Sequence, residues 1–192
     1  VSVRLRVVTP PAAEPVTLAE AKAHLRLESA EDDTYVSALI QAARQHVEEV
    51  CWRGVVTQTR EAVLEGFPDC EAVELPGGNL GAVSSVVYVD VDGAEQTLAT
   101  SAYEADTVSV PGRLVLAYGA SWPSTRSQWN AVRVRYTVGW EVADVPMPIR
   151  QAVLLLVGQM YEHRVPEITG TIVSGVSFAV DALLAPYRLV RW

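Results

Sequence analysis

Three histidines, His24, His46 and His163, fall one on each of three helical segments, and each has a carboxylate close in sequence: Glu20, Glu49 and Glu162. Histidine and glutamate projecting from facing helices can hold a metal, and this is the one enzymatic constellation that the residue types allow. The spacing argues against it. Carboxylate-bridged dimetal bundles carry Glu-x-x-His on two helices, and the motif does not occur here. Solvated His and Glu on amphipathic faces are the better reading, so neither a metal nor a cofactor is expected.

Other catalytic signatures are missing too. The turn Pro76, Gly77, Gly78, Asn79 lacks the Lys-Ser/Thr of a phosphate-cradling loop. Ser174-Gly175 is not a nucleophile elbow. The five tryptophans, Trp52, Trp122, Trp129, Trp140 and Trp192, are scattered and share no basic groove for stacking bases. Cys51 and Cys70 form neither a disulfide framework nor a zinc pattern and read as small side chains among apolar neighbours. The protein is expected not to be an enzyme.

The C-terminal tip differs in kind. Leu183, Leu184, Pro186, Tyr187, Leu189, Val190 and Trp192, with Arg188 and Arg191, put apolar, aromatic and cationic side chains at a chain end. Tyr, Trp and Arg dominate binding hot spots. Either the tip folds back on its own core or it docks into another protein.

The elements that position these residues begin with Ile149 to Arg164, an apolar stretch entered through Pro146 and Pro148 and stopped near Pro166. Ala152, Val153, Leu156, Val157, Met160 and Tyr161 share one stripe, and Leu154 and Leu155 widen it, which predicts a helix buried on most sides. Its uncharged run is well short of the ~20 residues a bilayer requires, so no membrane span is expected. Thr17 and Glu20 form a capping box for a helix from Leu18 to about Leu25. A second helix runs from Asp32 or Asp33 to about Cys51, with Gly54 as its stop. Tyr35, Val36, Leu39, Ile40, Ala43, Val47 and Val50 form its apolar stripe, leaving Gln41, Arg44, Gln45, Glu48 and Glu49 toward solvent or a neighbour.

From Val55 to about Val142 the period changes to alternation, punctuated by turns such as Asp92-Gly93 and Pro111-Gly112. The cleanest strand is Val132 to Val138, with Val132, Val134, Tyr136 and Val138 on one face. Ala120 to Asn130 reads as an irregular loop. Val3, Leu5 and Val7 alternate with Arg4 and Arg6 in a short N-terminal strand ended by Pro10 and Pro11. Val165 to Phe178, rich in Gly, Thr and Ser, reads as a long loop suited to an interface; one helical turn, Asp181 to Leu184, follows it before Pro186.

The predicted fold is α+β: a helical core of three main helices, an inserted antiparallel β-subdomain and an extended C-terminal arm. The expected divisions are 1–54 (strand and two core helices), 55–142 (β-subdomain), 143–164 (central helix) and 165–192 (interface loop and arm). At 192 residues, 49% hydrophobic and 20% charged, the chain can bury one core plus a subdomain. A net charge of −8 argues against tight wrapping of nucleic acid, since phosphate binding rests on Lys and Arg. Between Glu14 and Glu49, eight acidic side chains face three basic ones. The N-terminus lacks the apolar run of a signal peptide, and a cytoplasmic folding compartment is expected.

Taken in order, Pro15, Val16, Thr17, Leu18, Ala19, Glu20, Ala21, Lys22, His24, Leu25, Arg26 and Leu27, then Asp32 and Asp33 with Leu39, Ile40, Gln41, Ala42, Ala43 and Arg44, and finally Leu183, Leu184, Pro186, Tyr187 and Arg188 resemble the head-to-tail connector, or adaptor, proteins of tailed bacteriophages and gene transfer agents. The resemblance covers the first fifty residues and the C-terminal third. It implies a virion protein, assembled in the bacterial host cytoplasm as a homo-oligomeric ring, usually a dodecamer, beneath the portal protein. Its other face would receive a stopper or tail-terminator protein, and double-stranded DNA would pass through the lumen without specific binding. In such proteins the C-terminal segment reaches into the portal, which here falls on Leu183 to Trp192. For contacts between subunits or with partners the expected residues are Gln41, Arg44, Gln45 and Glu48 with Ile168, Thr169, Ile172, Val173, Val176 and Phe178. A tail-completion or stopper protein, and from another class a metal-dependent helical enzyme, are the alternatives.

Overall fold

The structure, a computed structural model, describes residues 3–163 and 174–189, and of 174–177 the backbone alone. The chain divides into two compact units, 1–12 with 57–139 and 13–56 with 140–192.

The first unit is all β. Its strands are β1 (Arg4–Thr9), β2 (Gln58–Leu64), β3 (Ala72–Leu75), β4 (Leu80–Val89), β5 (Glu95–Thr97), β6 (Tyr103–Asp106), β7 (Gly112–Leu116) and β8 (Val132–Val138). They form an antiparallel five-stranded sheet ordered β1-β2-β8-β4-β5 and a three-stranded sheet ordered β3-β7-β6. The inward residues are the alternating ones: Ala62 and Leu64 on β2, Val132, Val134, Tyr136 and Val138 on β8, Leu75 and Leu114 from the smaller sheet. Period-two side chains make one such face per strand, so two faces sharing a core make a sandwich. The sheets approach closely enough that a Cβ on Gly112 would lie 2.3 Å from Leu80 Cβ, which is why β7 opens on glycine. The β4–β5 hairpin turns where expected. Asp90 Oδ1 accepts the Asp92 and Ala94 amides, and Gly93 takes φ 90°. β1, grouped with the helices when read in sequence order, is an edge strand of this sheet, paired with β2. The loop Ala120 to Asn130 is irregular, with Trp122 stacked on Phe67 at 4.7 Å and its indole N–H bonded to the Cys70 carbonyl.

The second unit is helical: α1 (Leu18–Leu25), α2 (Asp33–Cys51), α3 (Met147–Glu162) and α4 (Ser174–Leu184). The capping box of α1 is complete, Thr17 Oγ1 accepting the Glu20 amide and Glu20 Oε2 accepting the Thr17 amide at 2.6 Å. α2 ends at Cys51, as expected, but its left-handed cap is Trp52 (φ 57°) rather than Gly54, and the Trp52 amide donates to the Glu48 carbonyl. Val36, Ile40, Ala43 and Val47 of α2 pack with Ile149, Ala152, Val153, Leu156 and Val157 of α3.

The long loop predicted for Val165–Phe178 gives way at Ser174 to α4, which continues through the one helical turn expected at Asp181–Leu184. The reason is tertiary. Val180 and Leu184 are four residues apart, share one helix face, and are buried in the helical core, which offsets a start poor in helix formers. Residues 164–173 and 190–192 lie outside the described part. No helix among the described residues is long and apolar enough to cross a membrane.

Candidate functional site

Of the carboxylates that might have joined the histidines, Glu20 already has other partners. Glu20 caps α1 and accepts from Arg150 of α3 at 2.6 Å, so its carboxyl is held below the ordinary range chiefly by the Thr17 amide and hydroxyl, with Arg150 adding to them. Across the described residues no three His, Cys, Asp or Glu come together to hold a metal. The thiol of Cys51 is fully buried and is pushed up by burial, despite the nearby cations Arg53 and Arg188. A thiol so protonated is a packing group.

The C-terminal tip is placed as far as Leu189. Leu184 is fully buried in the helical core, and Leu183 and Tyr187 pack against it. Tyr187 meets Trp140 edge to face at 6.4 Å, and the Trp140 ring carries the buried Arg53 guanidinium at 5.2 Å from its centroid. Burial depresses the pKa of Arg53. The Leu189 amide donates to the Cys51 carbonyl, pinning the segment to the end of α2, and Arg188 pairs with Asp181 at 2.6 Å. Pro186 and Arg188 stay exposed. The tip therefore folds back on its own unit through Leu189, while Val190, Arg191 and Trp192 lie outside the described residues.

The second group of expected contact residues is placed only in part. Gln41 and Gln45 are exposed on α2. Arg44, expected to face solvent or a neighbour, is instead buried, its guanidinium bonded to Glu14 Oε2 at 2.7 Å and to Glu48 Oε2 at 2.9 Å. Glu48 also accepts the Val55 amide at 2.9 Å, so this pair ties α2 to the segments before and after it. The physical reason is satisfaction: a cation on the inner edge of a helix is tolerated once its donors are met. Phe178 of α4 is 76% exposed. Val176 lies in the first turn of α4, and Ile168, Thr169, Ile172 and Val173 are outside the described part.

Sequence reasoning missed the other exposed apolar side chains. Trp52 and Met147 stand out of the helical unit, and Leu5, Val7, Val8 and Trp129 out of the β unit. The alternation in β1 was legible, but the exposure of its Leu5 and Val7 was not.

The described residues form an α+β body with apolar and aromatic side chains exposed at its edges. The phage gp6-like head-tail connector protein family matches residues 15–106. No curated protein sequence matches the chain. Among solved structures, a chain of the neck of an empty GTA particle computed with C6 symmetry is 24% identical with a TM-score of 0.78, covering 98% of this chain and 97% of that one. A chain from the virion of a native gene transfer agent particle is also 24% identical, TM-score 0.77, covering 98% and 96%. A chain of the neck of a native GTA particle computed with C12 symmetry is 25% identical, TM-score 0.73, covering 98% and 97%. The resemblance read from the residues agrees with these findings: the connector family matches residues 15–106, and over nearly its whole length the chain has the fold of these neck chains.

Proposed function

We propose that the protein is a head-to-tail connector, or adaptor, of a tailed phage or gene transfer agent particle. Twelve copies form a ring beneath the portal and join the DNA-filled head to the tail. DNA passes through the lumen without specific binding, in keeping with the net charge of −8. Assembly takes place in the host cytoplasm. The observation that carries this reading is the conjunction of the connector-family match over residues 15–106 with a likeness along nearly the whole chain to a chain of a GTA particle neck computed with C12 symmetry.

Within that role, the portal-binding arm is assigned to Leu183–Trp192. Exposed Gln41 and Gln45 of α2, and Phe178 with the segment before α4, contribute contacts to neighbouring chains. Since Leu184 is part of the core, the arm is best tested by a short deletion, 190–192, combined with Arg188→Ala. Light scattering with purified portal protein should show loss of the complex while far-UV circular dichroism and the melting temperature stay within those of the parent. A portal complex of unchanged affinity would refute the arm assignment.

A further inference from the structure

β1 ends the five-stranded sheet, and among the described residues nothing pairs with its outer edge. Leu5 and Val7 stand opposite Ala62 and Arg60, so they share the core-facing side of the sheet. Ala62 is fully buried there, yet Leu5 is 40% and Val7 53% exposed. The core side is thus open along the last strand. Edge strands usually carry protection against such exposure.

The other face of the sheet carries charges in alternation. Arg6 of β1 pairs with Glu61 of β2, and Glu61 pairs in turn with Arg135 of β8 at 3.1 Å. Arg133 of β8 pairs with Glu95 of β5 at 2.5 Å. The row therefore begins with arginine at the β1 edge and ends with glutamate at the β5 edge. Arg6 and Glu95 are the terminal members, and each side chain is 62% exposed, leaving room for a second counter-ion. Opposite charges on adjacent strands attract, and like charges directly opposite repel.

From these edges we infer that β1 of one copy docks against the β5 edge of the next copy of this same chain, Arg6 meeting the neighbour's acidic end and Leu5 and Val7 being covered. Two different edges of one molecule make a heterologous, head-to-tail contact, the kind that closes into a ring. Strand addition at a free edge supplies main-chain hydrogen bonds, and the charge row sets the polarity. The inference rests on the ring reading above and adds the surface that builds it.

The test uses two full-length variants, Val7→Asp, which blocks β1, and Thr97→Lys, which sets a cation on the outer face of β5. Leu5→Asp and Glu95→Lys are second versions should either first choice melt below the parent. Parent, variants and equimolar mixtures are sized by light scattering across a concentration series. The expectation is that the parent assembles, that each variant alone stays monomeric, and that the mixture stops at one-to-one pairs, because only one unblocked β1 and one unblocked β5 remain to meet. Rings formed by either variant alone, or a mixture that stays monomeric, would overturn the edge contact and leave the connector reading standing. A parent that never exceeds a monomer, even with portal protein, would overturn the ring reading itself.

Discussion

Replacing Arg44 by methionine should destabilise the helical unit far more than an ordinary surface ion pair would. The Arg44 side chain is 4% exposed, Glu48 11% and Glu14 29%. An exposed pair contributes about 0–1 kcal/mol, whereas removing one partner of a buried pair costs about 3–5 kcal/mol because the other charge is left in a poor solvent. Glu14 can rehydrate and Glu48 keeps the Val55 amide, so the lower end applies, about 3 kcal/mol. With a urea m value of roughly 2 kcal/mol/M, the midpoint of the helical signal should fall by about 1.5 M. Salt separates the two cases. At 1 M NaCl the screening length is only about 3 Å, which abolishes exposed pairs but spares buried ones, so the deficit should persist. The double variant Arg44→Met with Glu48→Gln removes the stranded charge and keeps an acceptor for Val55, and should recover about 1–2 kcal/mol. A single-variant loss under about 1 kcal/mol, or one that vanishes in salt, would refute the account of Arg44 as an internal clamp.

Acidification should loosen α1 first. Glu20 is held below its ordinary value near 4.5, so its contribution is complete above that value and fades as pH falls through the lower folded one; Thr17→Ala, costing about 1 kcal/mol, removes the hydroxyl but keeps the backbone amide and Arg150, and should weaken this dependence in an NMR titration without abolishing it. In the β unit, burial pushes the Tyr136 phenol well above its usual value near 10, outweighing the opposing Arg60 charge. The folded state therefore keeps the proton, its stability is intact below pH 10 and falls as pH rises beyond it, and absorbance at alkaline pH should show one tyrosine ionising only on unfolding. Tyr136→Phe loses the bond to the Pro76 carbonyl at 2.7 Å and should cost about 1–3 kcal/mol in thermal unfolding.

What could be read from the residues was whatever local chemistry determines. The Thr17–Glu20 box, the α2 stripe, the alternation of β8 and the Asp92-Gly93 turn each need only neighbours within a few positions, and each is present. What could not be read depends on distant partners. Arg44 looks solvent-facing in a helical pattern because Glu14, which neutralises it, lies thirty positions away. β1 looks like part of the helical core because it precedes the helices, yet its partner β2 starts only after α2. α4 looks like loop because its composition is poor in helix formers, and only the burial of Val180 and Leu184 explains it. Glu20, four positions before His24, is engaged by Thr17 and Arg150, and Arg150 lies far away in the sequence. A polar side chain's role is set by who reaches it first.

The same accounting constrains the proposed arm. If all of Leu183–Trp192 had to leave the core to grip a portal, binding would first have to extract Leu184, whose burial is complete, and break the Tyr187–Trp140 contact. Exposing a core leucine forfeits about 1.5–3 kcal/mol, which weakens the apparent affinity by roughly ten- to a hundredfold. An arm that leaves Leu184 seated and reaches out from Leu189 avoids that loss. It would use the exposed Arg188 together with Val190, Arg191 and Trp192, and the Leu189–Cys51 bond would serve as its root. Leu184→Ala separates the two designs. It should lower stability by about 2–5 kcal/mol in either case. With a long arm it should also tighten portal binding, because the segment is already loosened, whereas with a short arm rooted at Leu189 it should weaken binding by freeing the anchor.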